Sequence, residues 1–198
     1  MSVVVAPVRG NEREAARGLL LRAIARSMNI PVAGLRIDHA PGGQPILRGS
    51  EHVHVSISHG QGVVAVAFSR TCPVGVDVEM IRPLPALALA RRYFDRREAE
   101  WLHGLSAHER PAAFLWLWSS KEALGKAEGN GLRGGGVGRR IPTPGTWPPP
   151  LAGPQLRVLP WEPTLMLADP LVTPGHVVAT AVRAQAGCGI RVRMKVAD

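Results

Sequence analysis

Period-two alternation of apolar and polar residues predicts strands in the first half of the chain, and apolar runs predict more near its end. The predicted strands are 52–58, 63–68, 74–79, 156–159, 164–167 and 177–182. Along 52–58, Val and Ile side chains point to one face while Ser and His side chains point to the other. The turn Gly60-Gln61-Gly62 joins the first two strands as a hairpin.

Apolar residues spaced three to four apart predict helices. The predicted helices are 11–26, with Asn11 as its N-cap, 84–93, 96–105 and 111–128. Segment 142–154 carries six prolines, which predicts an irregular surface loop. Because strands precede and follow the helices, the order predicts an α+β fold and not a doubly wound sheet.

The chain carries a strong excess of basic residues. Among 198 residues, Lys and Arg outnumber Asp and Glu by 24 to 15, a net charge of +9, so we expect an anionic partner: nucleic acid, an acidic protein or a polyphosphate. Cys72 and Cys188 alone cannot build a disulfide framework. The N-terminal apolar run lacks the basic flank and length of a signal peptide, and no segment is apolar enough to cross a membrane. We therefore expect a soluble protein of the cytoplasm.

Two carboxylates on one strand face are the first candidate for chemistry. Asp77 and Glu79, two residues apart in Gly75-Val76-Asp77-Val78-Glu79, project from the same face about 6–7 Å apart at the backbone. Mutual repulsion makes this placement unfavourable unless a cation or solvent relieves it, and Mg²⁺ prefers such oxygen ligands. Taken alone, the pair is more simply an exposed strand face with two solvated acids.

A helix face supplies the second candidate. Within about 140° of one face, at 100° per residue, lie Trp118, Lys121, Glu122, Gly125 and Lys126. Lysines neutralise phosphate oxygens, a glutamate can join a metal shell, and glycine permits close approach. Taken alone, this face is better explained as solvated, with ordinary pairing between Glu122 and Lys126.

The third candidate is the strand end Ser56-Ile57-Ser58-His59-Gly60, where backbone amides and hydroxyls can meet an anion at a glycine turn. A structural histidine is the simpler interpretation of His59 in isolation. The order of all three motifs, with Trp118-Ser119-Ser120-Lys121-Glu122-Ala123 continuing through Lys126 to Gly131, resembles the surfactin-type 4'-phosphopantetheinyl transferase family. The similarity runs from about residue 13 to 184 and includes Arg91-Arg92-Tyr93-Phe94 and Glu98.

The resemblance implies two similar α+β halves, which we place at 1–72 and 73–198 with the Pro-rich loop 142–154 in the second. Coenzyme A and Mg²⁺ are then expected to bind in the cleft between them. Enzymes of this family move the 4'-phosphopantetheine arm of coenzyme A to a serine of an apo acyl, polyketide or peptidyl carrier protein and release 3',5'-ADP. An acidic carrier suits the +9 charge. We expect a monomer that binds neither nucleic acid nor membrane.

The resemblance also implies residue roles. The implied metal ligands are Asp77, Glu79 and Glu122. Glu122, or a metal-linked water, is implied as the base for the carrier serine, and Lys126 as its catalytic partner. The implied coenzyme A contacts are Lys121 and Lys126 on the diphosphate, His59 and Ser58 near the 3'-phosphate, and Arg13.

Some positions depart from the family pattern. Gln44 stands where a basic residue is usual, Val55-Ser56 replaces an aromatic-asparagine pair, and Gly60 replaces a serine. The N-terminal half is also short. These departures predict weaker or altered coenzyme A binding, without loss of the metal and phosphate core.

Other functions are weighed against this one. A basic nucleic-acid-binding protein would fit the charge, but one Tyr, three Phe and dispersed basic residues argue against it. A zinc hydrolase could use His52, His54 and His59, although no further His or Cys cluster completes such a site. A catalytically silent carrier-binding homologue is disfavoured because all three acids are present. The sequence does not say which carrier or pathway is served.

Overall fold

The computed structural model describes residues 1–134, 136–149, 155–173, 175–184 and 193–196. Its helices are α1 (Glu12–Met28), α2 (Ala86–Tyr93), α3 (Arg96–Gly104) and α4 (Arg110–Glu128). Its strands are β1 (Ser2–Pro7), β2 (Arg36–His39), β3 (Pro45–Arg48), β4 (His54–Gly60), β5 (Val63–Ser69), β6 (Val74–Met80), β7 (Leu156–Leu159), β8 (Glu162–Ala168), β9 (Leu171–Val172), β10 (His176–Arg183) and β11 (Arg193–Val196). This mixture confirms the predicted α+β class.

The first sheet has the strand order β11-β1-β5-β4 and carries α1. The side chain of Asn11 accepts a hydrogen bond from the Glu14 backbone N–H at 3.2 Å, which confirms the predicted N-cap. Helix α1 then buries Leu20 and Ile24 in a cluster with Val64 and other β5 residues. Every residue of β5 is buried, as its unbroken apolar run predicts.

The second sheet has the order β6-β10-β8-β7, with β9 paired to β10. Helix α4 lies across it, so that Leu117 and Leu124 are buried with Ala179 and Ala181 of β10. Pro111 stands in the first turn of α4, where its missing N–H costs nothing. Gly129 ends the helix with φ +80°, a left-handed conformation that glycine adopts without strain.

The two sheets meet where edge strand β4 lies against edge strand β6. The hydroxyl of Ser56 accepts a hydrogen bond from Val76 N–H at 3.1 Å, and that of Ser58 accepts one from Val78 N–H at 3.4 Å. Buried backbone donors of an edge strand need partners, and here serine side chains supply them. Of the polar face predicted for 52–58, Ser56 and Ser58 are therefore buried at the junction between the sheets, whereas His52 and His54 are exposed.

Several elements escape the alternation signal. Strand β1 is apolar from Val3 onwards, β2 and β3 form a short separate hairpin, and β9 has two residues. Residues 141–149 carry no helix or strand, as the prolines predict, and 150–154 lie outside the described residues. Because β11 pairs in parallel with β1, the chain returns to the first sheet, and the division at residue 72 stays a prediction. None of the helices described is both long and apolar enough to cross a membrane.

Candidate active site

Gly75 brings strand β6 directly onto helix α4. A Cβ atom at this position would lie 1.8 Å from the carbonyl oxygen of Ala123 and 2.8 Å from the amide nitrogen of Ala127. Only glycine permits so close an approach. The contact sets Asp77, two residues along the strand, beside Lys126 on the last turns of the helix.

Asp77 is a buried carboxylate with one oxygen saturated and one free. Its Oδ1 accepts hydrogen bonds from the Ser58 hydroxyl at 2.7 Å and from Lys126 Nζ at 2.8 Å. Lys126 also donates to the Val76 carbonyl oxygen at 3.1 Å. The other carboxylate oxygen of Asp77, Oδ2, is buried without a hydrogen-bond partner among the described residues. Since a buried polar atom left unpaired costs about 1–3 kcal/mol, a ligand that takes this oxygen would be favoured.

Glu79 lies further along the same strand and is paired with a cation. Arg82 Nη1 donates to Glu79 Oε2 at 2.8 Å and to the Met80 carbonyl oxygen at 3.1 Å. Neither side chain is fully buried, since 40% of Arg82 and 26% of Glu79 are exposed. Solvent therefore weakens the pair, and a divalent ion could compete for Glu79.

Glu122 faces the same negative neighbourhood from the helix. Partial burial raises its pKa, and the charges of Asp77 and Glu79 raise it further, while Lys126 opposes them. A divalent cation among these groups would relieve the repulsion that favours protonation of Glu122. The three acids that the sequence singled out therefore lie within electrostatic range of one another.

No preformed metal cluster is present in the part of the chain that the structure describes: no three His, Cys, Asp or Glu side chains are arranged to hold an ion. Basic and hydroxyl groups occupy the carboxylates instead, Lys126 and Ser58 on Asp77 and Arg82 on Glu79. The donor set is nonetheless all oxygen, carries excess negative charge and includes an unpartnered buried oxygen. These residues fit a hard cation such as Mg²⁺.

The histidines do not support the alternative of a zinc site. His52 is 88% exposed and lies within 3.8 Å of Glu51, while His59 Nδ1 lies 3.5 Å from Glu12 Oε2. Burial lowers the pKa of His54, and the neighbouring His52 adds to that effect. The three histidines do not form a metal-binding group within the residues described.

A groove leads away from Lys126. It encloses about 200 Å³, and its walls include Gln44, Pro45, Ile57, Lys126 and Gly129. Gln44 Oε1 lies 3.0 Å from the point where a Cβ of Gly129 would stand, so Gln44 lies against the end of α4. The departure from the family pattern at Gln44 thus lines this groove, and its predicted effect on coenzyme A affinity stays a prediction.

The groove adjoins a basic pocket of about 510 Å³, with which it shares Gly43, Pro45 and Ile57. Arg13, Arg17, His39 and His59 line this pocket. It unites Arg13 and His59, which the resemblance to the family singled out. Arg17 and His39 were missed, although the i, i+4 spacing of Arg13 and Arg17 on one helix was a signal for the first of them.

Lys121 corrects one expectation. Its Nζ donates to both oxygens of Glu98, at 2.9 and 2.8 Å, and to the Arg139 carbonyl oxygen, and it lies 4.6 Å from the centre of the Phe94 ring. The Lys121 and Glu98 side chains are 0% and 1% exposed. Burial lowers the pKa of Lys121 and raises the pKa of Glu98, against their mutual attraction. As placed, Lys121 stabilises the core and cannot hold a phosphate.

Two other positions also differ from expectation. Gly125 does not make room for a ligand, because a Cβ there would lie 2.0 Å from the Gly131 carbonyl oxygen in the turn after α4. Ser58 is buried and bonded to Asp77, whereas the neighbouring His59 lines the basic pocket. Sequence grouped Ser58 with His59 as anion contacts, but adjacent strand residues point to opposite faces.

Glu79 also lines an apolar cavity of about 430 Å³. Its lining includes Arg82, Leu84, Tyr93, Phe114 and Trp118. Glu79 thus lines the apolar cavity, while Lys126, which is bonded to Asp77, lines the groove. A ligand with a charged part and a less polar part could use both.

Comparison with known proteins identifies the segment that carries most of these residues. Residues 73–143 match the model of the 4'-phosphopantetheinyl transferase superfamily. The matched segment includes Asp77, Glu79, Glu122 and Lys126, but not the basic pocket.

Three relatives bear similar names. The chain is 33% identical over 122 residues to the 4'-phosphopantetheinyl transferase HetI of Nostoc sp., covering 60% of this chain and 52% of that protein. It is 34% identical over 115 residues to psf-1 of Bacillus pumilus, covering 58% and 48%. It is 32% identical over 114 residues to Sfp of Bacillus subtilis, covering 58% and 50%. The alignments thus span about half the length of these curated relatives.

Proposed function

We propose that the chain moves the 4'-phosphopantetheine arm of coenzyme A to a serine of an apo carrier protein, with Mg²⁺ as cofactor, because residues 73–143 match the model of the 4'-phosphopantetheinyl transferase superfamily. The observation that carries the proposal is the meeting of Asp77 and Lys126, with Glu122 close by, at the junction of the two sheets. There, one groove runs on to the basic pocket.

The groove and pocket suit the two charged parts of coenzyme A. The diphosphate would lie beside Lys126, and the 3'-phosphate would lie in the pocket of Arg13, Arg17 and His59. Lysine and arginine side chains supply the positive charge that phosphate oxygens need. The pantetheine arm, which is less polar, would pass the acids toward the apolar cavity beside Trp118.

Asp77 through Oδ2, Glu79 and Glu122 would hold Mg²⁺, after Arg82 releases Glu79. The ion would supply positive charge to the diphosphate as it reacts. Lys126, fixed by Asp77 and the Val76 carbonyl, is held in place to stabilise negative charge on the phosphate oxygens without rearranging.

The transfer itself needs one proton acceptor and one leaving group. The carrier serine oxygen bonds to the β-phosphorus of coenzyme A, the bond to the bridging oxygen breaks, and 3',5'-ADP leaves. Glu122 would accept the serine proton as the new bond forms. No covalent intermediate with the protein is required.

A direct test mixes the protein with Mg²⁺, coenzyme A and a panel of apo carriers from fatty acid, polyketide and peptide synthesis, and then weighs each carrier. We expect at least one carrier to gain the mass of phosphopantetheine, and Asp77→Ala or Glu122→Ala to abolish the gain. Glu100→Ala is the matched control, because Glu100 is an exposed acid paired only with Arg96 among the contacts described. The absence of any gain with the wild-type protein would contradict the proposal.

A further inference from the structure

The hydroxyl of Ser58 connects the two sheets at Asp77. Ser58 lies on edge strand β4 of the first sheet, while its hydroxyl bonds two groups on β6 of the second sheet. It accepts from Val78 N–H at 3.4 Å and donates to Asp77 Oδ1 at 2.7 Å. Because a hydroxyl has a single proton, the bond to Asp77 uses the only donor that Ser58 has.

That bond decides which oxygen of Asp77 is left free. Oδ1 receives both the Ser58 hydroxyl and Lys126 Nζ, so its acceptor capacity on the protein side is taken. Two donors from different elements, a strand and a helix, fix the rotation of the carboxylate. Oδ2 is then held in one place, buried and without a partner among the residues described.

We infer that Ser58 is a positioning residue that orients Asp77 so that Oδ2 is offered to a divalent cation. The inference rests on the metal site of the proposed function, but it assigns Ser58 away from the anion pocket in which His59 lies. Groups that orient metal ligands commonly change metal affinity 10–100-fold when they are removed. Ser58 also links the two ends of the site, since it precedes His59 in the chain and bonds Asp77 across the sheet junction.

Ser56 provides a matched control on the same strand. Its hydroxyl accepts from Val76 N–H at 3.1 Å, the same kind of contact that Ser58 makes with Val78. Ser56 and Ser58 are 3% and 8% exposed, so removal of either hydroxyl leaves one buried β6 amide unpaired. Only the Ser58 variant also releases Asp77.

The experiment titrates Mn²⁺, a paramagnetic hard dication, into wild-type protein, Ser58→Ala, Ser56→Ala and Asp77→Ala, and follows free Mn²⁺ by electron paramagnetic resonance. We expect the Mn²⁺ Kd to rise about 10-fold or more in Ser58→Ala and less than about twofold in Ser56→Ala. Thermal unfolding should move by similar amounts in both. In the transfer assay, Ser58→Ala should need more Mg²⁺ for half-maximal rate while recovering most of its rate at saturating Mg²⁺.

The outcomes separate the two proposals. Equal Mn²⁺ affinities for the two serine variants, with Asp77→Ala impaired, would overturn the role of Ser58 and leave the metal site standing. Wild-type binding that Asp77→Ala does not weaken would overturn the metal site and the role of Ser58 together. If Ser58→Ala does not fold, Ser58→Thr and Ser58→Val replace it, because they share a shape and differ by the hydroxyl. Ser58→Thr must then bind Mn²⁺ at least about 10-fold more tightly than Ser58→Val, or the role of Ser58 is overturned.

Discussion

Helix α4 carries two lysines five residues apart, each paired with one acid, and the two pairs are built in opposite ways. Lys121 and Glu98 are 0% and 1% exposed, whereas 28% of Lys126 and 8% of Asp77 are exposed. Both oxygens of Glu98 are bonded, to Lys121 and to the backbone amides of Asp95 and Ile141. Asp77 keeps one oxygen without a partner among the described residues.

This contrast separates an ion pair that is fully bonded within the protein from one that can still take a ligand. The Glu98 pair joins the start of α3, the middle of α4 and the segment at residue 141, and its polar atoms are satisfied, so it can only hold these parts together. The Asp77 pair is incomplete and opens into a groove. A buried pair that lacks one bond is where a ligand would contribute most.

The largest expected effect comes from the same amide substitution in both pairs. Glu98→Gln leaves the buried Lys121 charge without its carboxylate, and we expect the free energy of unfolding to fall by about 3–5 kcal/mol. Asp77→Asn should cost less than about 1 kcal/mol, since Lys126 is partly exposed and solvent can compensate. Urea unfolding measures both. Equal losses would show that the two pairs are energetically alike.

Replacing each lysine by methionine should affect catalysis in one pair and stability in the other. Lys126→Met should lower kcat/KM for coenzyme A about 100-fold, because it removes a fixed positive charge from the diphosphate site. Its stability should change little beside that of Lys121→Met, which leaves the buried Glu98 without its cation. Steady-state kinetics of carrier modification gives the first number and urea unfolding the second. A Lys126→Met variant with wild-type kinetics would refute the role given to this lysine.

A substitution at Gly75 should disturb the Asp77 pair and leave the Glu98 pair intact, because Gly75 holds β6 against α4. Gly75→Ala would drive a methyl group into the Ala123 carbonyl, so β6 must move off α4, at a cost of about 1–3 kcal/mol. Asp77 and Lys126 should then lose their contact, while Glu98 and Lys121 keep theirs. Gly104→Ala is the control, because a Cβ there meets nothing within 4 Å. Transfer activity should fall well below wild type in the first variant and stay unchanged in the second.

The smallest expected effect is the pH dependence of Glu122. Its pKa lies above the ordinary value of 4.5, so the folded protein holds this proton more tightly than the unfolded chain, and that stabilisation is lost as pH rises through the folded pKa. Glu122→Gln never acquires the charge. With chelator at pH 7–8 it should be the more stable protein, by less than the roughly 1.4 kcal/mol of one pKa unit, because solvent screens a half-buried group.

Thermal unfolding across pH tests this expectation, and the difference between the two proteins should shrink as pH falls toward 4.5. Added Mg²⁺ should stabilise the wild-type protein at pH 7–8 and stabilise Glu122→Gln less. A stability difference that grows at low pH would reverse the sign and contradict the electrostatic account of Glu122.

The sequence predicted the four α-helices and six of the eleven strands described, together with the residue types that carry the chemistry. Capping at Asn11, the hairpin at Gly60-Gln61-Gly62 and the long helix ending before Gly129 are local, because each depends on residues within a few positions of one another. The motif spacing likewise set Glu122 and Lys126 one turn apart, and the order of motifs indicated the family. These signals need no knowledge of distant partners.

The contacts of each charged residue depend on segments that are distant in the chain, so they could not be predicted from the sequence. Lys121 and Lys126 look alike in the sequence. In the structure, Lys121 is buried in the core and paired with Glu98, whereas Lys126 is paired with Asp77 and lines the groove. Ser58 looks like part of an anion site, but it is β6 from the second sheet that meets its hydroxyl. The strength of an ion pair or hydrogen bond depends on distances of a few ångströms and on the exclusion of water, and both are set by segments far apart in the chain.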